Sequence, residues 1–346
     1  MDMMRAVTFS QFGPPSVLHR VEVEKPKPKP FDVTIRVASA GICYHDVLSR
    51  AGLISRDRPG LILGHEIAGE IVETGSEVSK NRIGKRVAVY VRLYCGECSH
   101  CLSGRHDLCR RSTVVGENGG GGYGEFTCVP SRNAIEIPDE LDLNVAAMAC
   151  CPVGTSVRAA LGQAALGPGD ICLITGASGG LGLHQIQVAR SVGAHVIAVT
   201  SNDEKVDHIE KAGADEIIVS PDLKFSGEVW KRTQKQGVTA VLENVVTGTF
   251  EQSLRSCAQN AAVVILGNIG AKSVALDPGL LIVRRLRVMG SGNATYADMQ
   301  RALHLLSTGR VKPFIDRVLP FDDAATGHSA MENRKTTGRV VMSGWR

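Results

Sequence analysis

The stretch "ICLITGASGGLGLHQIQVARSVGAHVIAVTS", residues 171–201, decides the fold. An apolar run ends at Ile174, a glycine-rich turn and an amphipathic stretch follow, and a second apolar run closes the segment. That order is a strand–helix–strand unit, which implies a parallel sheet. Apolar runs at 214–220, 238–246, 261–270 and 286–292 bring the count to five or six strands, with helical stretches between them, in a doubly wound sheet. The turn carries Gly176, Gly179, Gly180 and Gly182, with Ala177, Ser178 and Leu181 among them. Residues without a Cβ let backbone N–H groups approach a pyrophosphate, whose charge then sits at the helix N-terminus. A glycine-rich turn alone is weak evidence. Its place inside a βαβ unit of the right length makes it a dinucleotide site.

The end of the second apolar run identifies the ribose. An NAD site usually carries Asp or Glu there, whereas "VIAVTSNDEK" (196–205) places Thr200 and Ser201 at that point. Small hydroxyl residues leave room for a 2′-phosphate and can hydrogen-bond its oxygens, and Lys205 can oppose its charge. The competing reading of Lys205 is a solvated helix residue. NADP(H) is therefore expected in preference to NAD(H).

Outward from this unit the texture changes. Residues 1–150 read as short strands and glycine-rich turns, such as "DVTIRVAS" (32–39) and "EIAGEIVETG" (66–75). The run "KPKPKP" (25–30) alternates proline with lysine and reads as an extended entry segment rather than a basic patch. The tail from residue 293 holds a helical stretch at 296–311 and a terminal strand, "GRVVMSG" (338–344). The Rossmann-type sheet is complete without this tail, so it is expected to pack on the first domain. The expected division is 1–153 with 293–346 as a mostly-β domain, and 154–292 as the nucleotide domain. With 346 residues, two domains are the default in any case.

The 39 basic and 35 acidic residues are spread without a long basic block, which argues against nucleic acid as a partner. No run approaches the roughly 18 apolar residues of a membrane span, and the N-terminus lacks a signal-peptide pattern. A cytoplasmic location and a small-molecule substrate are expected. In a reducing compartment, clustered cysteines are metal ligands or catalytic groups rather than disulfides.

Two metal constellations follow. Cys95, Cys98, Cys101 and Cys109 have the spacing C-x2-C-x2-C-x7-C, in a lobe at about 94–110. Four thiolates on one loop close a tetrahedral shell around zinc and leave no open position, the pattern of a structural site. His100 and His106 are then surplus and expected at the surface. The second set is dispersed: Cys43 and Asp46 in "GICYHD", His65 and Glu66 in "GHEIAGEIVETGSEV", and Cys150 and Cys151 in "ACCPVGT". Two thiolates and one imidazole would leave a position open, as a catalytic zinc requires. Each of these residues alone reads equally as a buried structural group.

"GHEIAGEIVETGSEV" (64–78), "CGECSHCLSGRHDLC" (95–109), "GGYGEF" (121–126) and "TGASGGLG" (175–182), in this order, resemble the zinc-containing medium-chain dehydrogenase/reductases of the alcohol dehydrogenase superfamily. The resemblance covers nearly the whole chain and implies a GroES-like catalytic domain beside a Rossmann domain. It makes Cys43, His65 and Cys151 the catalytic zinc ligands, with Glu66 able to exchange onto the metal. Cys151 is preferred to Cys150 by register with the following "TSVRAAL", and Thr155 joins the cofactor-binding residues. Asp46 resembles the carboxylate that orients the ligand cluster. Where the family commonly has Cys-His-Ser/Thr-Asp, this chain has Cys43-Tyr44-His45-Asp46. His45 thus takes the slot of the proton relay, either as a relay or as a pocket-shaping residue, and a phosphate contact made elsewhere by His is missing or differently made at Tyr44.

The resemblance implies an NADP(H)-preferring alcohol dehydrogenase or carbonyl reductase with two zinc ions per chain, assembled as a homodimer or homotetramer through the segment from 261 to 292. The alternative is an enoyl-CoA, enone or quinone reductase of the same fold, close to the acryloyl-CoA reductase and quinone oxidoreductase branches. A third reading, from another class, is a non-catalytic NADPH-binding protein. Cys128, Cys150, Cys172 and Cys257 read as small core residues. Arg92 and Tyr94 read as cleft or surface residues.

Overall fold

In the six-stranded sheet of the computed structural model, the strand order is Glu216–Val219, His195–Thr200, Ile171–Ile174, Val238–Glu243, Cys257–Ile265, Arg287–Gly290. Every pairing in it is parallel. The structure describes residues 2–54, 57–117, 120–268 and 272–346. The central strands read as continuous apolar runs because both faces are covered: Cys172, Leu173, Ile174, Val263 and Val264 are fully buried. Strand order reverses between Ile171–Ile174 and Val238–Glu243, the switch point at which open α/β sheets bind ligands. The expected run 261–270 begins earlier, at Cys257, and ends at Ile265; its residues 269–270 lie outside the described residues.

By contacts the chain divides into two units. One holds Pro152–Ala294 and Thr308–Phe314, the other the preceding residues to Cys151 with Thr295–Ser307 and Ile315–Arg346. Residues 308–314 join the parallel-sheet unit through the helix Gly182–Ser191. Gln187 donates to the Lys312 carbonyl (2.9 Å) and accepts from its N–H (2.7 Å), while Arg310 donates to the Ser191 carbonyl (3.1 Å).

The other unit is built on a mostly antiparallel sheet in the order Ile315–Leu319, Arg339–Ser343, Asp32–Ile42, Glu66–Thr74, Arg86–Val89, Ala134–Glu136, with Phe126–Pro130 also paired to Asp32–Ile42. Its core gathers Val33, Ile35, Ile42, Ile67, Ile71, Val87 and Val340. Each such side chain contributes about 1.5–3 kcal/mol when taken out of water. Register is what matters for the site. Gly41 lies opposite Glu66, and Ile42 lies opposite Val340. Cys43, His65, Glu66 and Arg339 therefore come to one end of the sheet from three strands.

Candidate active site

Cys43 follows the strand Asp32–Ile42 and caps the helix Tyr44–Arg50. Its N–H donates to Asp46 Oδ2 (2.9 Å), so a capping box fixes this segment. The other oxygen of Asp46 accepts from the Gly64 N–H (3.3 Å) and faces His65 Nδ1 at 3.3 Å. That leaves His65 Nε2 free to turn toward a metal. Cys151 sits in a π-helical turn, Ala149–Gly154, of the kind that often marks a functional site. The turn separates the two adjacent cysteines. The Cys150 sulfur accepts from the Val91 N–H at 3.4 Å, while the Cys151 sulfur lies 3.9 Å from that of Cys43.

One ligand atom from each of Cys43, His65, Glu66 and Cys151 lies within 4.8 Å of all the others. Tetrahedral zinc with Zn–S bonds near 2.3 Å separates two sulfurs by about 3.8 Å, so the thiol pair has metal spacing and not that of a disulfide. The electrostatics agree. Hydrogen bonding from Cys151, with the charge of Arg339 beyond the opposing cost of burial, holds the Cys43 thiol well below its ordinary value. Burial opposes a charged His65, yet Asp46 and Cys43 hold its pKa well above the usual imidazole range. The neighbour of Cys43 goes the other way: the hydrogen bond with Cys43 and burial hold the Cys151 thiol well above its ordinary value, so the pair resists a second negative charge.

Arg339 is one residue that sequence reasoning missed. It is 4% exposed, and its Nη2 lies 2.6 Å from Glu66 Oε1 and 3.4 Å from the Cys151 sulfur. Burial pushes the Glu66 carboxyl up to about 7 against the pull of Arg339. Gly41 makes this arrangement possible, because any side-chain carbon there would overlap the Glu66 carboxylate. His45 stands edge-on to the His65 ring at 5.8 Å, and its Nε2 lies 3.2 Å from Glu117 Oε1. The nearby Glu117 carboxylate raises the His45 pKa against burial. Glu117 was not anticipated either.

The four-cysteine lobe has the same spacing with thiols alone. Sulfur–sulfur distances are 3.8 Å for Cys95–Cys101, 3.5 Å for Cys98–Cys101 and 3.6 Å for Cys109–Cys95. Backbone donation at Glu97 draws the Cys95 thiol down to about 6. His100 and His106 stand outside the cluster, both partly exposed. His106 stacks on Tyr94 at 4.0 Å and meets the rings of Tyr90 and Tyr296 edge-on. Tyr94 is thereby used in packing, under Arg132 at 4.7 Å, and Arg92 donates to Ser112 Oγ at 2.7 Å. Cys150, Cys172 and Cys257 are buried as expected. Cys128 is half-buried, its thiol donating to the Pro26 carbonyl at 3.4 Å.

In the parallel-sheet unit, Gly176 to Gly182 forms a tight turn: Gly179 N–H donates to the Gly176 carbonyl (3.0 Å), and Ala177 N–H to the Val199 carbonyl (3.1 Å). Gly182 opens the following helix with no room for a Cβ against the carbonyls of Gly176 and Ala177. Beneath the turn, the fully buried Glu243 accepts at one oxygen from Thr175 Oγ1 (2.6 Å), the N–H groups of Val245 (3.0 Å) and Val246 (2.9 Å), and Thr249 Oγ1 (2.8 Å). Sequence reasoning missed this carboxylate, which fixes the residue before Gly176. Thr200 is buried, and its hydroxyl donates to the Asn202 carbonyl (3.2 Å). Ser201 is exposed, Lys205 partly exposed at the end of a short helical turn, and Thr155 partly buried.

The alcohol dehydrogenase GroES-like domain family matches residues 29–139, and the zinc-binding dehydrogenase family matches 180–308. An acryloyl-coenzyme A reductase of Metallosphaera sedula is 32% identical over 93% of this chain and 95% of that protein. An NAD-dependent alcohol dehydrogenase of Saccharolobus solfataricus is 33% identical over 98% and 99%. The chain is a medium-chain dehydrogenase/reductase. The crystal structure of AibC superposes with a TM-score of 0.94 at 41% identity, covering 100% of this chain and 97% of that one. As a medium-chain dehydrogenase/reductase, the protein is an oxidoreductase with a GroES-like and a Rossmann-like domain.

Proposed function

We propose that this dehydrogenase/reductase is a zinc-dependent enzyme moving hydride between NADP(H) and an alcohol or carbonyl. The observation that supports this most is the convergence of Cys43, His65, Glu66 and Cys151 at metal-ligand spacing. Zinc held there would supply a Lewis acid to the substrate oxygen, and the nicotinamide would supply or accept the hydride. The chain's own residues do the rest. Asp46 orients His65, Arg339 holds Glu66 beside the ligands, and His45, paired with Glu117, takes or returns the alcohol proton. Residues 176–182 hold the pyrophosphate, with Thr155 among the cofactor contacts. Thr200, Ser201 and Lys205 leave space and charge for the 2′-phosphate. Cys95, Cys98, Cys101 and Cys109 hold a second, structural zinc. We assign the enzyme to the cytoplasm as a homodimer or homotetramer; among the described residues no helix is long and apolar enough to cross a membrane.

A second reading, reduction of the activated double bond of an enoyl-CoA or enone, is favoured by the two acryloyl-coenzyme A reductases at 32% identity and by Tyr44-His45. One experiment separates the two. NADPH and NADH oxidation is followed over aldehydes, ketones, enones and enoyl-CoA thioesters, with zinc counted on the same sample and on Cys151→Ala. Two zinc ions falling to one, with carbonyl turnover lost, supports the first reading. Enone or thioester turnover that survives the change sinks it.

A further inference from the structure

Two turns leave the parallel sheet side by side at its switch point. Ile174 pairs with Leu242, so Thr175 and Glu243 are the first residues past this pairing, followed by Gly176 and Asn244. Ligands of open α/β sheets bind outside these carboxyl ends, where strand order reverses.

Glu243 joins the two turns. Its carboxylate is met by five neutral donors: the hydroxyls of Thr175, Thr249 and Ser253, and the N–H groups of Val245 and Val246. Thr175 Oγ1 in turn accepts from the Asn244 N–H at 3.0 Å, so one hydroxyl bridges the first turn to the second. Behind it, the side-chain amides of Asn244 and Gln185 bond reciprocally at 2.7 and 3.1 Å, and Asn244 Nδ2 also donates to the Thr175 carbonyl at 2.8 Å. Gln185 is fully buried, on the helix that Gly182 opens. The turns also touch, for a Cβ on Gly176 would lie 3.0 Å from Val245 Cγ2. Five converging donors call for a group that only accepts; an amide in its place would aim N–H at a donor.

Val246 shows what the carboxylate restrains. It has φ +65° and is 4% exposed. A β-branched residue in the left-handed region is strained, persists only where its surroundings over-determine it, and is found at ligand clamps. Both ends of Val246 are tied: its N–H donates to Glu243, and its carbonyl accepts from the N–H groups of Thr249 (3.2 Å) and Phe250 (3.0 Å).

We propose that Glu243 is a positioning residue for the cofactor, locking the turns 175–182 and 244–249 into one rigid wall that sets nucleotide affinity. This rests on the reading that residues 176–182 hold the pyrophosphate of a nicotinamide dinucleotide.

The test is direct binding of NADPH and of NADH, followed by cofactor fluorescence without turnover, with zinc content and amide hydrogen exchange read on the same samples. Glu243→Gln should weaken the better-bound cofactor by about 10-fold or more. It should speed exchange in 175–182 and 244–250, and leave zinc content and exchange in 66–74 unchanged. Thr249→Val removes one donor and keeps the side chain's shape; it should weaken binding by about 3-fold, and it carries the test if Glu243→Gln does not fold. Adding Val246→Gly to Glu243→Gln should restore part of the affinity, because glycine adopts a positive φ without the carboxylate's help. Binding unchanged in folded Glu243→Gln and Thr249→Val overturns the positioning role, whatever happens to the melting temperature. A double variant that binds no tighter than Glu243→Gln alone overturns it too. Failure of the underlying reading looks different: the parent protein folds and holds zinc but binds neither cofactor.

Discussion

The two cysteine clusters differ in how the chain assembles them. Cys95, Cys98, Cys101 and Cys109 need only a few tight turns to meet, and their shell is all thiol. Cys43, His65, Glu66 and Cys151 need strand register, a capped helix and a π-helical turn, and they meet beside a buried guanidinium. A closed cluster made locally ties loops together. A mixed cluster held by a sheet, with an arginine within reach, can change what it binds.

If this division is right, breaking each cluster should fail differently. The largest effect is expected from Cys43→Ser, with turnover down by about 1000-fold, the loss of a Lewis acid supplying several kcal/mol, and melting little changed. Steady-state kinetics beside a calorimetric scan checks it, and a melting loss matching the activity loss would erase the contrast. Cys101→Ser should do the reverse: metal content falls by one, melting drops by about 10 °C, and folded molecules still turn over. Normal melting without the lobe metal would break the assignment.

Arg339→Met sharpens the mixed site. It leaves Glu66 buried without its cation, and denaturant unfolding should show a loss of about 3–4 kcal/mol. Adding Glu66→Gln should recover part of that, and strict additivity in the cycle would mean the pair is not coupled. The smallest effect is a slope. His328 titrates near 4 when folded and near 6.5 when unfolded, so its contribution is complete above pH 6.5 and is lost as pH falls toward 4. His328→Phe should flatten the stability profile across that window by up to about 3 kcal/mol, and an unchanged slope would locate the acid sensitivity elsewhere.

What could be read from the chain follows the same division. The glycine turn at 176–182 and the four-cysteine lobe are contiguous, so local spacing carries their meaning. The dispersed cluster became legible only through resemblance to a family, because nothing near Cys43 points to Cys151. Arg339 was not legible at all. It stands in "GRVVM", a stretch that reads as an ordinary strand entry, and it reaches the site through the pairing of Val340 with Ile42. Glu117 and Glu243 were invisible for a related reason, since a carboxylate's partners are decided by folding. The tail shows the same limit: the side chain of Gln187 gathers in residue 312, which sequence texture had placed elsewhere.

Gly41 carries no functional group, yet it decides where a charge rests. The Glu66 carboxylate occupies the space that any larger residue at 41 would fill. Exchange for alanine would force the carboxylate to shift beside Arg339 without altering either charged residue. The site therefore leans on a position that an inventory of reactive side chains would pass over, where one added methyl group would press on the carboxylate.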